Sequence, residues 1–295
     1  MSEKTPGRPI LPVVGLLFVS FVWGSTFPGG KYILGALPVF TYMTARFVMA
    51  AAILLPLSWK ELKAARRRDY VISGLLGLVL FTTLSLQTVA LLYTTASKSS
   101  FALGIYVVLV PLLSFILYKK PLSLKIIGAC LLAMAGLGLI STGEGLEGGV
   151  DLGVIITLIG AFFLALQIVG IGRYAKEVSP MTMAFCQTLV VALLCLPISL
   201  FLENNPPLAS VDLSVWLCCF FLAAFATAIS YIIQCSAQRH LDQALVAIIV
   251  SMSCVFGAFQ SWLFLGEAFT WSMFAGGGLL FLAMIVAQLL GPTKS

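Results

Sequence analysis

Thr227, Ser230, Tyr231 and Gln234 stand at i, i+3, i+4 and i+7 inside an apolar run. On a helix that spacing makes one face. Hydroxyls and an amide on one face can donate and accept hydrogen bonds without carrying charge. Such a face can pass a polar solute or bond a neighbouring helix. Thr83 and Gln87 also share a face, and they stand 147 positions before Ser230 and Gln234. Gln167, Gln260, Ser253 and Tyr106 add single polar groups in other apolar runs. Each alone fits an interhelical hydrogen bond, while the matched stripes together fit the wall of a cavity.

Arg46 is the one charge well inside such a run. Placing an arginine at the centre of a membrane helix costs about 2.5–3.5 kcal/mol. Carbonyls at a helix C-terminus, Glu267 or a substrate carboxylate could each meet it. The stretch "WGSTFPGGKYI" at 23–33 is also unusual for hydrocarbon. Its Gly24, Pro28, Gly29 and Gly30 loosen a helix, and Trp23, Ser25 and Thr26 offer a ring and hydroxyls there. An aromatic-belt residue followed by a helix exit has the same appearance.

No catalytic cluster, metal-ligand set or phosphate-binding glycine loop accompanies these groups, so no catalytic residues, metal or cofactor are expected. His240 is the single histidine. The seven cysteines lie in apolar runs without a CxxC pair and read as small buried hydrophobes. Asp151, Asp212, Asp242 and Glu267 fall near the ends of runs, which argues against a buried-carboxylate proton relay.

The elements that hold these groups must lie in a bilayer. The chain of 295 residues is 60% hydrophobic and 9% charged, against about a quarter charged in soluble domains. Ten apolar runs are long enough to cross: 11–31, 38–58, 70–93, 97–118, 123–141, 151–173, 180–202, 212–237, 241–264 and 270–291. The first is expected to be an uncleaved helix rather than a signal peptide. With both termini placed in the cytoplasm, 14 of the 17 Lys and Arg lie in cytoplasmic segments, including Arg66, Arg67 and Arg68. The remaining three are Lys31 and Lys98 outside and Arg46 in a span. The positive-inside rule thus predicts a multi-pass protein of the cytoplasmic (inner) membrane with both termini cytoplasmic and the loop 142–150 outside. The net charge of +6 is read as this topology signal, and no nucleic-acid partner is expected.

Residues 87–123 and 234–270 are similar at a constant offset: "QTVA" matches "QCSA", and "KKPLS" falls on "GEAFT". Five spans per repeat invert the second copy. The predicted fold is therefore all-α, with ten transmembrane helices as two inverted five-helix repeats, 1–142 and 143–295, around a central cavity. The fifth and tenth runs carry few polar groups but several small residues, such as Gly128, Ala129, Ala133 and Gly136. They are placed at the periphery, packing the bundle or a homodimer.

"WGSTFP..K", "ARF" at 45–47, "ALLYTTASKSSF" at 90–101 and "LGE" at 265–267 together resemble the drug/metabolite transporter superfamily, EamA type. The resemblance covers essentially the whole chain. It implies a ten-helix fold with a central cavity lined by helices one to four and six to nine, and export of amino acids, other metabolites or drugs. "KKP" at 119–121 departs from the family's frequent glycine–glutamate pair, which reads as a turn or cap rather than a transport element. The residues expected to line the path are Trp23, Arg46, Thr83, Gln87, Tyr106, Gln167, Thr227, Tyr231, Gln234 and Gln260. Gln87 and Gln234 are expected to act as matched gates on opposite sides of the midplane. The expected function is a secondary transporter moving small metabolites, as an amino-acid or related exporter working by alternating access. The partners are then a small-molecule substrate and the lipid bilayer. A lipid or polyprenyl-phosphate flippase and a membrane-embedded enzyme are the rival readings.

Overall fold

A computed structural model describes residues 10–119, 124–143, 152–266 and 271–290. Among these, eight helical spans are long and apolar enough to cross a membrane. They are α1 (Ile10–Leu34), α2 (Val39–Ala64), α3 (Arg67–Ala90), α4 (Ala96–Tyr118), α6 (Leu152–Tyr174), α7 (Pro180–Leu202), α8 (Leu213–Ala237) and α9 (Gln243–Leu265). Two more helices, α5 (Leu124–Gly143) and α10 (Trp271–Leu290), complete the set and hold shorter apolar segments. The loop 142–150, Asp151 and Glu267 fall wholly or largely outside the described residues.

Local chemistry explains where the helices start and stop. α2 extends beyond the expected end at 58 because its last turns can leave the hydrocarbon. There the Lys63 ammonium sits 4.9 Å from the centre of the Trp59 ring. α3 begins inside the arginine run, where Asp69 accepts the Arg66 N–H at 2.9 Å. Pro180 opens α7 at a position that needs no N–H. Asp212 opens α8 by accepting from the Ser214 hydroxyl (2.6 Å) and N–H (2.7 Å), bonds that hold its carboxyl below the usual range. Pro38 cannot cap α2 with a side chain. Glu203, at the end of α7, does so from outside by accepting the Phe40 and Thr41 N–H groups at 2.8 and 2.7 Å.

The internal repeat is visible in the helix boundaries. α3 ends at Ala90 and α8 at Ala237, while α4 covers Ala96–Tyr118 and α9 Gln243–Leu265. α5 and α10 keep the same offset of 147 at both ends. Thr95 and Asp242 cap α4 and α9 at matching places. Both helices are interrupted at matching points, Gly104–Ile105 and Ser251. Both then end on a left-handed residue, Lys119 (φ 50°) and Gly266 (φ 68°). The two copies run in opposite directions, because an odd number of crossings separates them.

Packing follows the same exchange of halves. α2 packs along α7 and α5 along α10, the two pairings that map onto themselves. α3 with α6 is matched by α8 with α1, and α4 with α6 by α9 with α1. Two features break the symmetry. α1 is split at Ser25, so Pro28 falls in the first turn of the segment Thr26–Leu34, where its missing N–H costs no helical bond. In α8, residues Leu222–Ile229 form a π-helical segment. The split in α1 also brings the Gly24 backbone against α9. A methyl group there would lie 2.8 Å from the Gly257 nitrogen, so only glycine fits.

Candidate functional site

Polar and aromatic groups from α1, α2, α3, α4, α6, α8 and α9 converge on one cavity between the two halves. No described side chain of α5 or α10 lines it. Its free volume is about 60 Å³. A water occupies about 30 Å³ in the liquid and ligand pockets hold roughly 300–1,000 Å³. The walls must therefore separate before a metabolite can enter.

Arg46 is the one charge on this wall, and it is 7% exposed. Its Nε–H donates to the Thr227 hydroxyl at 2.9 Å, and an Nη1–H to the Tyr42 hydroxyl at 3.1 Å. The guanidinium also lies 5.5 Å from the centre of the Phe47 ring. Neither hydrogen-bond partner is a carbonyl or a carboxylate. Two neutral hydroxyls hold a cation that the sequence led one to pair with an acid or a helix end.

Trp23 closes one side of the cavity. Its indole N–H donates to the Ala226 carbonyl at 2.9 Å, within the π segment of α8. Its ring meets Tyr231 edge-on, with centroids 5.9 Å apart. A π turn takes carbonyls out of the ordinary i→i+4 ladder and leaves them available to other donors. The Thr227 and Ser230 hydroxyls occupy two of them, donating to Leu222 O (3.1 Å) and Phe225 O (2.7 Å), five residues back. Ser25 and Thr26 likewise donate to their own backbone, at Val22 O and Trp23 O, both 2.6 Å. Their hydroxyls therefore serve the helix break rather than being freely presented.

On the opposite wall, Thr83 faces the cavity while donating to Val79 O at 2.9 Å. Gln87 lines the cavity half-buried. Gln167 donates to Gln187 Oε1 at 3.0 Å, which leaves its own Oε1 buried without a donor. Tyr106 brings its hydroxyl beside Ser253 without full hydrogen-bond geometry.

Trp23, Arg46, Thr83, Gln87, Tyr106, Gln167 and Tyr231 are thus brought together on one cavity. Thr227, Gln234 and Gln260 are not among its lining residues. Thr227 stands behind Arg46 as its acceptor. Gln260 donates to Phe21 O at 3.0 Å and ties α9 to α1. Gln234 is fully buried with neither end of its amide paired. The expected gate pairing of Gln87 with Gln234 therefore lacks its second member on the wall. The sequence reading missed Tyr42 and Gln187. Tyr42 was detectable, because it lies four residues before Arg46 on the same helical face. Gln187 sits behind Gln167 on another helix, and no spacing in the chain announces it.

Hydrogen bonds tie segments of the chain together towards each face. At one face the Lys31 ammonium at the end of α1 donates to Leu91 O (2.5 Å) and Thr94 O (2.8 Å), in the corner between α3 and α4. At the other, more basic face Arg239, in the corner between α8 and α9, donates to Ala175 O (2.8 Å) and Val178 O (3.1 Å), just past α6. Gln238 and Gln243 reinforce that end by donating to Ile168 O (3.0 Å) and Val169 O (3.2 Å) of α6.

Comparison with known proteins places this architecture. The EamA-like transporter family matches residues 10–142 and 151–288. A protein of Archaeoglobus fulgidus named "Uncharacterized transporter" is 30% identical over 278 residues, covering 94% of this chain and 85% of its own. "Uncharacterized transporter YyaM" of Bacillus subtilis is 25% identical over 227 residues, 74% of either chain. One solved crystal structure superposes with a TM-score of 0.77 at 18% identity, over 96% of this chain and 98% of that one. That likeness bears on the fold alone. Two matched halves, a membrane-spanning helical fold and relatives named as transporters lead to one assignment: the chain belongs to the EamA-like transporter family.

Proposed function

We propose that the chain is a secondary carrier that exports small metabolites, amino acids or related compounds, across the cytoplasmic membrane by alternating access. The two repeats, 1–142 and 143–295, act as one unit with the substrate between them. The observation that carries this reading is a polar and aromatic cavity lined by both halves, with a group of inter-segment hydrogen bonds towards each face that can serve as a clasp. Opening the Lys31 clasp exposes the cavity to one face, and opening the Arg239 group exposes it to the other. With both closed the substrate is enclosed. Trp23, Arg46, Tyr106, Gln167 and Tyr231 form the contact surface. The basic face is cytoplasmic in this reading, because Arg66, Arg68, Arg173 and Arg239 all lie there.

Two experiments test it. Purified protein in liposomes loaded with amino acids, organic acids, nucleosides or cationic drugs should exchange at least one class, and exchange of none overturns the reading. Single cysteines placed at Arg67 and at Ser210, in a background without native cysteines, should react with an impermeant thiol reagent from opposite sides of intact cells. Labelling of Arg67→Cys from outside reverses the assigned orientation.

A further inference from the structure

We propose that the cavity takes an organic acid with a single carboxylate and an apolar or aromatic body, whose acid group docks on Arg46. This deepens the carrier reading above and rests on it. A guanidinium has five N–H donors, and the bonds to Thr227 and Tyr42 use two of them. The remaining donors belong to a buried cation that has no ion pair among the described residues. Burying a charge is costly unless an opposite charge and a full set of hydrogen bonds meet it. A carboxylate supplies both, and its two oxygens match the flat fork of the guanidinium.

The rest of the wall narrows the class. Among the described residues no aspartate or glutamate lines the cavity, so an amine alone meets no counter-charge there and is repelled by Arg46. Arg46 is also the single cation there, which favours one negative charge over the two of a phosphate monoester. Beyond Arg46 the wall combines hydroxyls and amides, such as those of Thr83, Gln87 and Ser253, with Trp23, Phe27, Tyr106, Tyr231 and leucines, and this second part suits a ring or a branched alkyl group. Two buried acceptors on this wall, the Gln167 Oε1 and the Tyr106 hydroxyl, have no hydrogen-bond partner, and the amide oxygen of Gln167 is the one suited to a cationic donor. The buried Gln167 Oε1 lacks a donor and can take an N–H or ammonium from a substrate that carries one. Simple carboxylates and α-amino acids share the recognised group, and Gln167 separates them.

The test uses matched pairs that differ at the acid alone: phenylacetate with phenylacetamide, isovalerate with isovaleramide, L-phenylalanine with L-phenylalaninamide, and L-leucine with L-leucinamide. Binding to the purified full-length protein is followed by the shift of its thermal unfolding, and exchange by counterflow in liposomes. At least one acid is expected to bind about tenfold or more tightly than its amide. That preference should fall to about one in Arg46→Gln and survive in part in Arg46→Lys. Gln167→Leu should weaken the amino acids more than it weakens phenylacetate and isovalerate. Equal binding of acids and amides by the unaltered protein, preference for an amide, or binding of none of the acids overturns the proposal without recourse to any variant. Retention of the acid preference in Arg46→Gln overturns the assignment to Arg46. If other solutes exchange in liposomes while acids show no advantage, the carrier reading stands and the anion proposal fails alone.

Discussion

At one end of the cavity a lysine on a helix reaches for the carbonyls of a corner, and at the other an arginine in the corner reaches for carbonyls beyond a helix. The corners themselves, 91–95 and 238–242, are the same part of the repeat, used once at each face. Their side chains differ in kind. Leu91 and Leu92 occupy the places that Gln238 and Arg239 hold in the second copy. The first corner has hydroxyls at Tyr93, Thr94 and Thr95 but no amide or guanidinium, and a single ammonium holds it through its backbone carbonyls. The second corner carries its own donors and adds Gln243 at the start of α9. An inverted repeat thus conserves the hinge geometry while leaving the strength of each latch free to vary. The Lys31 end is the one that a single substitution can release.

Lys31→Met should have the largest effect of the variants considered. It removes both bonds of its clasp, and no amide or guanidinium stands in that corner to replace them. A loss of about 1–2 kcal/mol shifts an open-to-closed population by roughly five- to thirtyfold. Spin-label distances across the Lys31 face should lengthen in an enlarged fraction of molecules. An unchanged distribution would remove the clasp from the mechanism. Arg239→Gln should act in the opposite direction, opening the basic face, but by less, about 1 kcal/mol or roughly fivefold, because Gln238 and Gln243 remain in place. An effect larger than that of Lys31→Met would reverse the ranking of the two ends.

Glu203→Gln compares the faces through their helix caps. It weakens an anionic cap that α7 lends to α2 at the Lys31 face, and should lower stability by about 1 kcal/mol, read from thermal unfolding of the purified protein. The smallest effect is expected at the left-handed corners. Gly266 sits at its positive φ without strain, whereas Lys119 carries a side chain through the same conformation. Lys119→Gly should raise stability by about 0.5–1 kcal/mol and leave exchange rates unchanged, while Gly266→Ala should lower it by about the same amount. Equal responses at both corners would show that tertiary contacts, not φ, set the energy there.

The "GE" position of the second repeat and "KK" of the first now have a physical account at their first residue. Both are helix C-terminal residues in the left-handed region, which agrees with reading this departure from the family pattern as a turn or cap. The polar stripe on α8 was only half legible. Thr227, Ser230, Tyr231 and Gln234 share a face when every turn holds 3.6 residues. The π segment Leu222–Ile229 changes the number of residues per turn within that stretch. Tyr231 reaches the cavity, Thr227 is turned to its own backbone and to Arg46, and Gln234 is buried elsewhere.

The sequence by itself determined the solvent, the spans and the repeat. A chain so poor in charge must lie in lipid, every crossing must then be a helix that satisfies its own backbone, and a register of 147 is written in residues such as Gln87 and Gln234. It also marked Trp23, Arg46, Thr83, Gln87, Tyr106, Gln167 and Tyr231 as polar or aromatic groups out of place in hydrocarbon. Tertiary structure alone decided that these seven meet, that Arg46 rests on the hydroxyls of Tyr42 and Thr227, and that Lys31 and Arg239 each bond the carbonyls of another segment. The reason is range. Hydropathy and helical period are properties of neighbours along the chain, so they can be read from it. A hydrogen bond between residues 181 positions apart, such as that of Arg46 with Thr227, depends on how whole helices pack and on where α1 and α8 depart from the regular turn.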